Sequence, residues 1–294
     1  MRAVQVTRFG GPEVLELVDV ERPAPISTEV LVRVIAAGVN PVDCKTRRGE
    51  GVARWLGQPP FIVGWDVCGT VEAMGYGVTR FQAGDVVYGM PWFPRSAGGY
   101  AEYVAAPSRQ FALAPKGISP SEAAALPLAA LTAWQCLVDS AHLENGQTVL
   151  VHGASGGVGH LAVQIAEARG ARVIASKHRG DGEALGARNV DVALDLAGGG
   201  DTEALLATVR EGGFLLAVAD GADDKVKAEA VRRGVRVIET LVEPDGHGLE
   251  EISRLVESGR LEVKVGEAFP LEQAARAHEA LEKGGRKGKL VLVL

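Results

Sequence analysis

The sequence of 294 residues predicts an α/β protein in which a β-rich N-terminal part precedes a doubly wound parallel sheet. Three observations predict this fold class. About the first 115 residues consist of short strand patterns separated by turn residues. A strand, a glycine turn and a helix then follow one another over residues 149–166. Beyond that helix, strand and helix patterns alternate, which is typical of a parallel sheet.

The N-terminal part contains apolar segments of strand length bounded by Gly, Pro and Asp. These predicted strands cover residues 3–7, 15–18, 30–34, 69–74 and 85–89. A helix is predicted from Ser121, and Pro127 interrupts it. The following apolar stretch, residues 128–138, leads to the strand before the glycine turn.

The glycine turn is the most informative motif of the chain. The strand Val149–Val151 runs into Ser155-Gly156-Gly157-Val158-Gly159, and a helical apolar pattern follows. Glycine lets a pyrophosphate approach the backbone, and the N–H groups that open a helix favour negative charge. The motif therefore predicts a dinucleotide site formed by Ser155, Gly156, Gly157 and Val158. The alternative is a purely structural turn between a strand and a helix.

The rest of the chain continues this alternation. Strands are predicted at 172–175, 214–218, 235–238 and 289–294, and helices at 202–209, 224–232, 249–258 and 269–283.

Composition excludes several classes of protein. The formal net charge of −6 gives no basic surface for nucleic acid, and no apolar run reaches the roughly 20 residues that span a membrane. The N-terminus has no signal-peptide core. The cysteines Cys44, Cys68 and Cys136 lie far apart, so neither a disulfide framework nor a paired Cys-x-x-Cys zinc site is expected. We expect a reduced cytoplasmic enzyme.

Four segments occur in an order found in one family: Ala37–Asp43, Gly64–Glu72, Ser155–Gly159 and Gly288–Leu292. In these the chain resembles the medium-chain dehydrogenases/reductases, specifically the zinc-independent, zeta-crystallin-like quinone oxidoreductases. The resemblance implies a GroES-like catalytic domain of residues 1–117 and 264–294 and a Rossmann nucleotide-binding domain of residues 118–263. It also implies NADPH as the reductant and a quinone, enone or similar carbonyl acceptor.

The same resemblance implies further contacts. Thr132 and Lys289 are expected to contact the cofactor. A homodimer is expected through edge strands near residues 235–240, because an exposed strand edge is a natural pairing surface.

One departure from the family concerns zinc. Zinc-dependent relatives have Cys where Asn40 stands and a His-Glu pair where Trp65-Asp66 stand. Amide and indole groups cannot replace thiolate and imidazole as ligands, so we expect no metal.

A second departure concerns length. Leu185-Gly186-Ala187 is followed almost at once by Val190–Leu196, so one strand–loop–helix segment of the nucleotide-binding domain is missing. The sequence leaves open whether Val190–Leu196 is the third or the fourth strand. A tyrosine with which relatives help to bind the 2′-phosphate is missing too.

Cofactor choice depends on the end of the second strand of the nucleotide-binding domain, which is Ser176-Lys177-His178-Arg179. No acidic residue precedes Asp181, and lysine and arginine make charge-assisted hydrogen bonds to phosphate. Ser176, Lys177 and Arg179 are thus predicted to bind the 2′-phosphate of NADPH. The alternative is an exposed basic loop without this role.

Two residues are predicted to act in catalysis. The Asn40 amide is placed to position substrate or nicotinamide, although Asn40 before Pro41 could equally shape a turn. Lys45 could polarise a carbonyl or supply a proton, or it could be an ordinary exposed lysine. Trp65 and Trp92 are predicted to line the substrate pocket, with core packing as the alternative.

These observations predict a zinc-independent oxidoreductase that transfers hydride from NADPH to a quinone or an α,β-unsaturated carbonyl compound. The alternative is an NADPH-binding structural or sensing protein with little turnover.

Overall fold

The computed structural model describes residues 1–176, 180–198, 200–218, 221–285 and 287–294, and of residues 182 and 183 it describes the backbone alone. The chain forms two compact units. The first unit comprises residues 1–131, 243–257 and 263–294, and the second comprises residues 132–242 and 258–262.

The strands are, in chain order, β1 (Arg2–Val6), β2 (Leu15–Asp19), β3 (Glu29–Val39), β4 (Phe61–Ile62), β5 (Val67–Met74), β6 (Val86–Gly89), β7 (Tyr103–Pro107), β8 (Phe111–Leu113), β9 (Thr148–His152), β10 (Arg172–Ser176), β11 (Val190–Asp195), β12 (Val209–Ala217), β13 (Arg236–Glu239), β14 (Val265–Pro270) and β15 (Lys289–Val293). The helices are α1 (Pro41–Arg47), α2 (Ala53–Leu56), α3 (Pro120–Ala124), α4 (Pro127–Trp134), α5 (Gly159–Ala168), α6 (Gly182–Leu185), α7 (Thr202–Thr208), α8 (Asp224–Arg233), α9 (Gly246–Glu257) and α10 (Ala274–Lys283), with a π-helical turn at Gln135–Ser140.

The first unit is β-rich, as its sequence predicts. One sheet has the strand order β2-β1-β4, and the larger sheet has the order β14-β15-β3-β5-β6-β8. The long strand β3 joins two parts of the larger sheet. Strand β7 pairs with its first half, and β15 pairs with its second half. The C-terminal tail thus returns to the N-terminal part of the chain.

The bounds of the first unit differ from the predicted domain bounds. Residues 118–131 and 243–257 belong to it, although both lie within the predicted nucleotide-binding domain of residues 118–263. Helix α9 is attached to the β-rich sheet by the Tyr88 hydroxyl, which donates to the Leu249 carbonyl at 2.6 Å. The Ser253 hydroxyl donates in turn to the Leu113 carbonyl at 3.3 Å.

The tail also differs from its prediction. The pattern predicts a single helix over residues 269–283, but Phe269 and Pro270 end strand β14, and α10 begins only at Ala274. Phe269 is buried and pairs with Leu292 in the parallel β14–β15 ladder. Proline is tolerated there because β14 is an edge strand.

The second unit contains a parallel five-stranded sheet of order β10-β9-β11-β12-β13. A doubly wound dinucleotide-binding sheet has the order 3-2-1-4-5-6. β11 lies directly beside β9, with Ala193 opposite Leu150, so it occupies the fourth position. Among the described residues no strand occupies the third position, beyond β10. The structure therefore answers the question that the sequence left open.

Both parts of the predicted fold class, the β-rich domain and the shortened doubly wound domain, are confirmed. Within the described residues, no helix is both long and apolar enough to cross a bilayer.

Candidate active site

The glycine turn joins the carboxyl end of β9 to helix α5. Gly153 adopts φ +85°, a conformation that favours glycine, and its N–H donates to the Ser176 carbonyl at 3.0 Å. A Cβ added at Gly159 would lie 2.1 Å from the Gly153 oxygen. The turn can close this tightly only because these positions have no side chain.

The turn presents backbone donors to solvent. Ser155, Gly156 and Gly157 are exposed, and the N–H groups of Gly157 and Val158 donate to no acceptor within the described part of the chain. These donors precede the ten-residue helix α5, whose dipole adds partial positive charge. The turn also lies at the switch point between β9 and β11, where doubly wound folds bind ligands. Its geometry fits a pyrophosphate group.

Ser176 ends strand β10 and is fully buried. Its hydroxyl lies 2.9 Å from Nδ1 of His152, the last residue of β9. Burial prevents the Ser176 side chain from facing solvent, although its position at the strand end is the predicted one. Lys177 and Arg179, the other residues predicted to bind the 2′-phosphate, lie outside the described residues.

A carboxylate that the sequence analysis did not single out lies beside this pair. Asp201 Oδ2 accepts a hydrogen bond from the Gly180 N–H at 2.9 Å and lies 3.2 Å from Nε2 of His152. Asp201 immediately precedes α7, so only the strand order brings it to the ends of β9 and β10. No pattern in the sequence indicates this contact, because it depends on the pairing of β11 with β9.

In the first unit, Asn40 belongs to a buried polar network. Its Nδ2 donates to Asp66 Oδ2 at 2.8 Å, and its Oδ1 accepts a short hydrogen bond from the Lys289 ammonium. Asp66 Oδ1 accepts in addition from the Leu128 N–H at 2.8 Å. Asn40, Asp66 and Lys289 are all buried. The amide orientation of Asn40 is therefore fixed on both sides by charged partners.

Asn40 also precedes helix α1, as the turn interpretation predicts. Pro41 is the first helical residue, and the Asn40 N–H donates to Asp43 Oδ2 at 2.7 Å. This is a capping interaction, in which the side chain of the third helical residue satisfies a backbone donor of the N-cap.

A second chain of buried side chains continues from Asp43. The Tyr100 hydroxyl donates to Asp43 Oδ2 at 3.2 Å and lies 3.1 Å from His278 Nε2. His278 Nδ1 lies 3.2 Å from an Arg47 nitrogen, which can only donate. The His278 proton must therefore be on Nε2, where it donates to Tyr100. Hydrogen bonds thus run in one direction from Arg47 to Asp43.

Burial changes the acidity of these groups. It raises the pKa of Asp43 to about 7, and the neighbouring Asp66 carboxylate adds to the rise. Burial raises the pKa of Asp66 to about 6, against the opposing effect of the Lys289 ammonium. Burial lowers the pKa of Lys289, and burial with the Arg47 charge lowers the pKa of His278 to about 3. His278 is therefore neutral near pH 7.

The other predicted site residues are placed as follows. Lys45 is exposed on α1, and its ammonium makes no hydrogen bond or ion pair to any residue that the structure describes. Thr132 is buried in α4. Trp65 is fully buried, donates to the Arg95 carbonyl at 2.6 Å and meets Phe93 edge to face.

Trp92 is half-buried, packs against the core of the first unit and donates from Nε1 to the Ala105 carbonyl at 2.9 Å. Its neighbour Phe93 lines a cavity of about 510 Å³ within the first unit, together with Arg80, Arg109 and His247. Packing thus accounts for the contacts of Trp65 and Trp92, and the buried Phe93 is the aromatic residue of this loop that lines the cavity.

No group of three or more His, Cys, Asp or Glu side chains that could hold a metal ion occurs within the described ranges. Where zinc-dependent relatives place two ligands, this structure has the engaged Asn40 amide and the buried Trp65 indole.

Comparisons with known proteins agree with this architecture. The alcohol dehydrogenase GroES-like domain family matches residues 27–116, and the zinc-binding dehydrogenase family matches residues 169–292. A quinone oxidoreductase from Pongo abelii is 32% identical over 327 aligned positions, which cover 100% of this chain and 98% of that protein. The alignment is longer than the chain, as an internal deletion requires.

Two solved structures are similar over the whole chain. A quinone oxidoreductase from Coxiella burnetii superposes with a TM-score of 0.91 at 33% identity, covering 100% of this chain and 99% of that one. A mycobacterial protein in complex with NADPH superposes with a TM-score of 0.85 at 30% identity, and both chains are covered completely.

Proposed function

Because this chain belongs to the medium-chain dehydrogenase/reductase superfamily, we propose that it reduces a quinone or an α,β-unsaturated carbonyl compound with NADPH and without a metal ion. The glycine turn between β9 and α5 is the observation that carries the proposal, since it offers backbone donors at the switch point of a doubly wound sheet. Similarity to quinone oxidoreductases over the full length supports the acceptor class.

The second unit would hold the nucleotide mainly through its backbone. The turn at Ser155–Val158 receives the pyrophosphate, and Lys177 and Arg179, which follow the buried Ser176 in the chain, receive the 2′-phosphate. When bound, NADPH supplies the hydride, and the protein supplies binding and orientation. The similar mycobacterial structure that contains NADPH supports this choice of reductant.

Asn40 acts in this proposal as a fixed amide that positions the nicotinamide or the substrate. Asp66 and Lys289 hold its two polar atoms, so the amide does not reorganise during the reaction. Thr132 and Lys289 are the further proposed contacts of the cofactor. Trp65, which packs edge to face against Phe93, and Trp92, which precedes Phe93 in the same loop, are the proposed residues of the acceptor pocket.

Lys45 is the proposed electrophile that stabilises negative charge on the acceptor oxygen. Its exposed side chain lies on α1, five residues after Asn40, the N-cap of this helix. Lys45→Met should lower kcat/KM about tenfold, the loss of one charge-assisted contact in the transition state, and Lys45→Arg should retain most of it. Equal activity of wild type and Lys45→Met would remove Lys45 from the mechanism.

Independence from metal follows in this proposal from the Asn40 amide and the Trp65 indole, neither of which replaces a thiolate or imidazole ligand. Elemental analysis of the purified protein should find no stoichiometric zinc, and treatment with a chelator should leave the rate unchanged. Stoichiometric zinc, together with a chelator-sensitive rate, would contradict this part of the proposal.

The decisive test of function is oxidation of NADPH in the presence of 1,4-benzoquinone, 9,10-phenanthrenequinone or a simple enone, followed by the loss of near-ultraviolet absorbance. We expect acceptor-dependent oxidation with at least one member of this panel. Tight binding of NADPH without turnover across the panel would favour the alternative, a structural or sensing protein.

We also propose a homodimer formed through strand β13. β13 pairs only with β12 and leaves its other edge open among the described strands. Light scattering coupled to gel filtration should give twice the chain mass of 30.8 kDa. A mass that stays at one chain over a wide concentration range would contradict the dimer.

A further inference from the structure

We propose that Asp201 determines cofactor selectivity by accepting a hydrogen bond from the ribose 2′-hydroxyl of an unphosphorylated dinucleotide and by repelling a 2′-phosphate. The inference rests on the proposed dinucleotide-dependent function and refines it. The protein then accepts NADH as well as NADPH, and Asp201 opposes the selectivity for NADPH that Lys177 and Arg179 would otherwise give.

Asp201 lies beside the end of the second strand of the sheet. Doubly wound domains bind the adenosine ribose at the end of the second strand, where an acidic side chain selects the free 2′-hydroxyl. In this chain the second strand is β10, and its end carries no acidic residue. Asp201 lies there nonetheless, because its Oδ2 accepts from Gly180, four residues beyond the last residue of β10.

The contacts of Asp201 fix the direction of its carboxylate. Oδ2 lies 3.2 Å from Nε2 of the buried His152, an atom that makes no hydrogen bond within the described part of the chain. The other ring nitrogen of His152 lies 2.9 Å from the Ser176 hydroxyl. One imidazole ring therefore separates the Asp201 carboxylate from the end of β10.

Asp201 also has an oxygen left for a ligand. Oδ1 accepts no hydrogen bond from any described residue, and the side chain is 20% exposed. The nearby Asp195 is unsuitable, because the Ala197 and Gly198 N–H groups and the Thr202 hydroxyl occupy its oxygens. Asp201 is thus the carboxylate at this edge that combines exposure with an oxygen not engaged by the described residues.

The strand order accounts for an acidic residue from another element at this place. β11 lies beside β9 on the side away from β10, and the loop after β11 reaches across the end of β9 to Gly180, beyond the end of β10.

The consequence for binding follows from charge. A 2′-phosphate carries nearly two negative charges at pH 7, and a carboxylate close to it is unfavourable. A 2′-hydroxyl instead donates a charge-assisted hydrogen bond to the carboxylate.

The test measures nucleotide binding rather than turnover. Affinities of the full-length protein for 2′,5′-ADP and for 5′-AMP, determined by titration calorimetry, report on the site with and without a 2′-phosphate. Asp201→Asn keeps an acceptor for Gly180 and removes the charge. We expect it to bind 2′,5′-ADP about tenfold more tightly and 5′-AMP about threefold more weakly than wild type.

Glu203→Gln is the matched control. Glu203 lies two residues further on, in α7, and pairs with Lys225 at 2.8 Å on the exposed surface. The Glu203→Gln substitution removes the same charge and leaves the contacts with His152 and Gly180 unchanged. Both nucleotide affinities should therefore stay within about twofold of the wild-type values. A control that behaves like Asp201→Asn would overturn the inference, because the effect would then be one of net charge.

Asp201→Ser is a second variant that removes the charge, in case Asp201→Asn does not fold. It should raise the affinity for 2′,5′-ADP relative to that for 5′-AMP, as Asp201→Asn does. An unchanged ratio in folded Asp201 variants, judged by their melting temperature, would overturn the inference and leave the proposed function intact. If the wild-type protein binds neither nucleotide, the proposed dinucleotide-dependent function is overturned, and the inference about Asp201, which rests on it, is overturned as well.

Discussion

Asp43 is the most unusual single residue of the first unit. It is fully buried, and its Oδ1 has no hydrogen-bond partner among the residues that the structure describes, whereas Oδ2 accepts from Asn40 and Tyr100. Burial raises its pKa from 3.8 to about 7. Between these two values the folded protein keeps a proton that the unfolded chain loses. The free energy of unfolding therefore falls as pH rises through this window.

Asp43→Asn should abolish that pH dependence at this position. From pH 4 to pH 8, the stability of wild type relative to the variant should fall by about 4 kcal/mol, because only wild type has the buried carboxyl to ionise. Denaturant unfolding at several pH values measures this difference. Asp19→Asn, on the exposed edge of β2, is the charge-matched control. A difference independent of pH would show that Asp43 titrates normally.

Lys289 neutralises the buried Asp66 through the amide of Asn40. Lys289→Met should destabilise the protein at pH 8 by about 3–5 kcal/mol, because it leaves a buried carboxylate without its counter-charge. Adding Asp66→Asn should restore a large part of this loss. Thermal and denaturant unfolding of the single and double variants measure the coupling, with exposed Lys287→Met as the control. Additive effects of the two substitutions would contradict the proposed pairing.

At the residue scale, sequence patterns identified where chemistry could occur but not which partners engage it. Asn40 could be named because it has an amide where zinc-dependent relatives have a cysteine ligand, whereas the following proline favoured the alternative of a turn. Its partners Asp66 and Lys289 are 26 and 249 positions away in the chain, and only the fold brings them together. Lys45 remains a prediction of the sequence, since exposure alone assigns it no partner.

At the scale of elements, the two glycines of the nucleotide turn have separable roles. A Cβ at Gly159 would clash with the backbone of Gly153 and Ala154, whereas a Cβ at Gly156 would meet only the Gly153 oxygen at 3.2 Å. Gly159→Ala should therefore cost about 1–3 kcal/mol of stability. Gly156→Ala should leave stability nearly unchanged and weaken NADPH binding, because the added methyl group blocks the approach of the pyrophosphate.

Unfolding and calorimetric titration of these two variants give both quantities. Stability losses of equal size in Gly156→Ala and Gly159→Ala would show that the turn has a packing role alone.

The strand and helix patterns of the sequence predicted most elements, but they did not determine the order of the strands in the sheet. The apolar run of residues 190–196 suits the third or the fourth position of the sheet equally well, because both positions are buried. The parallel pairing of β11 with β9 decides for the fourth. Strand β14 was not predicted, because its last two residues, Phe269 and Pro270, also fit the start of an amphipathic helix.

At the scale of the whole molecule, a sheet that has lost its third strand still forms a nucleotide-binding domain. The missing strand belongs at the outer edge beyond β10, so its loss leaves the turn and the switch point between β9 and β11 in place. Deletion at an edge changes the surroundings of the adenosine ribose more than those of the pyrophosphate. Cofactor selectivity is therefore the property in which this chain should differ most from full-length relatives.

Quinone reduction by metal-free protein is the measurement that tests the central claim most directly. Chelator-treated protein, shown by elemental analysis to lack zinc, is mixed with NADPH and 9,10-phenanthrenequinone, and both products are quantified. Two-electron hydride transfer predicts one hydroquinone formed for each NADPH oxidised, at a rate that Gly156→Ala lowers in parallel with its affinity for NADPH. NADPH that is bound by the protein but not oxidised by this quinone, by 1,4-benzoquinone or by an enone would contradict the account.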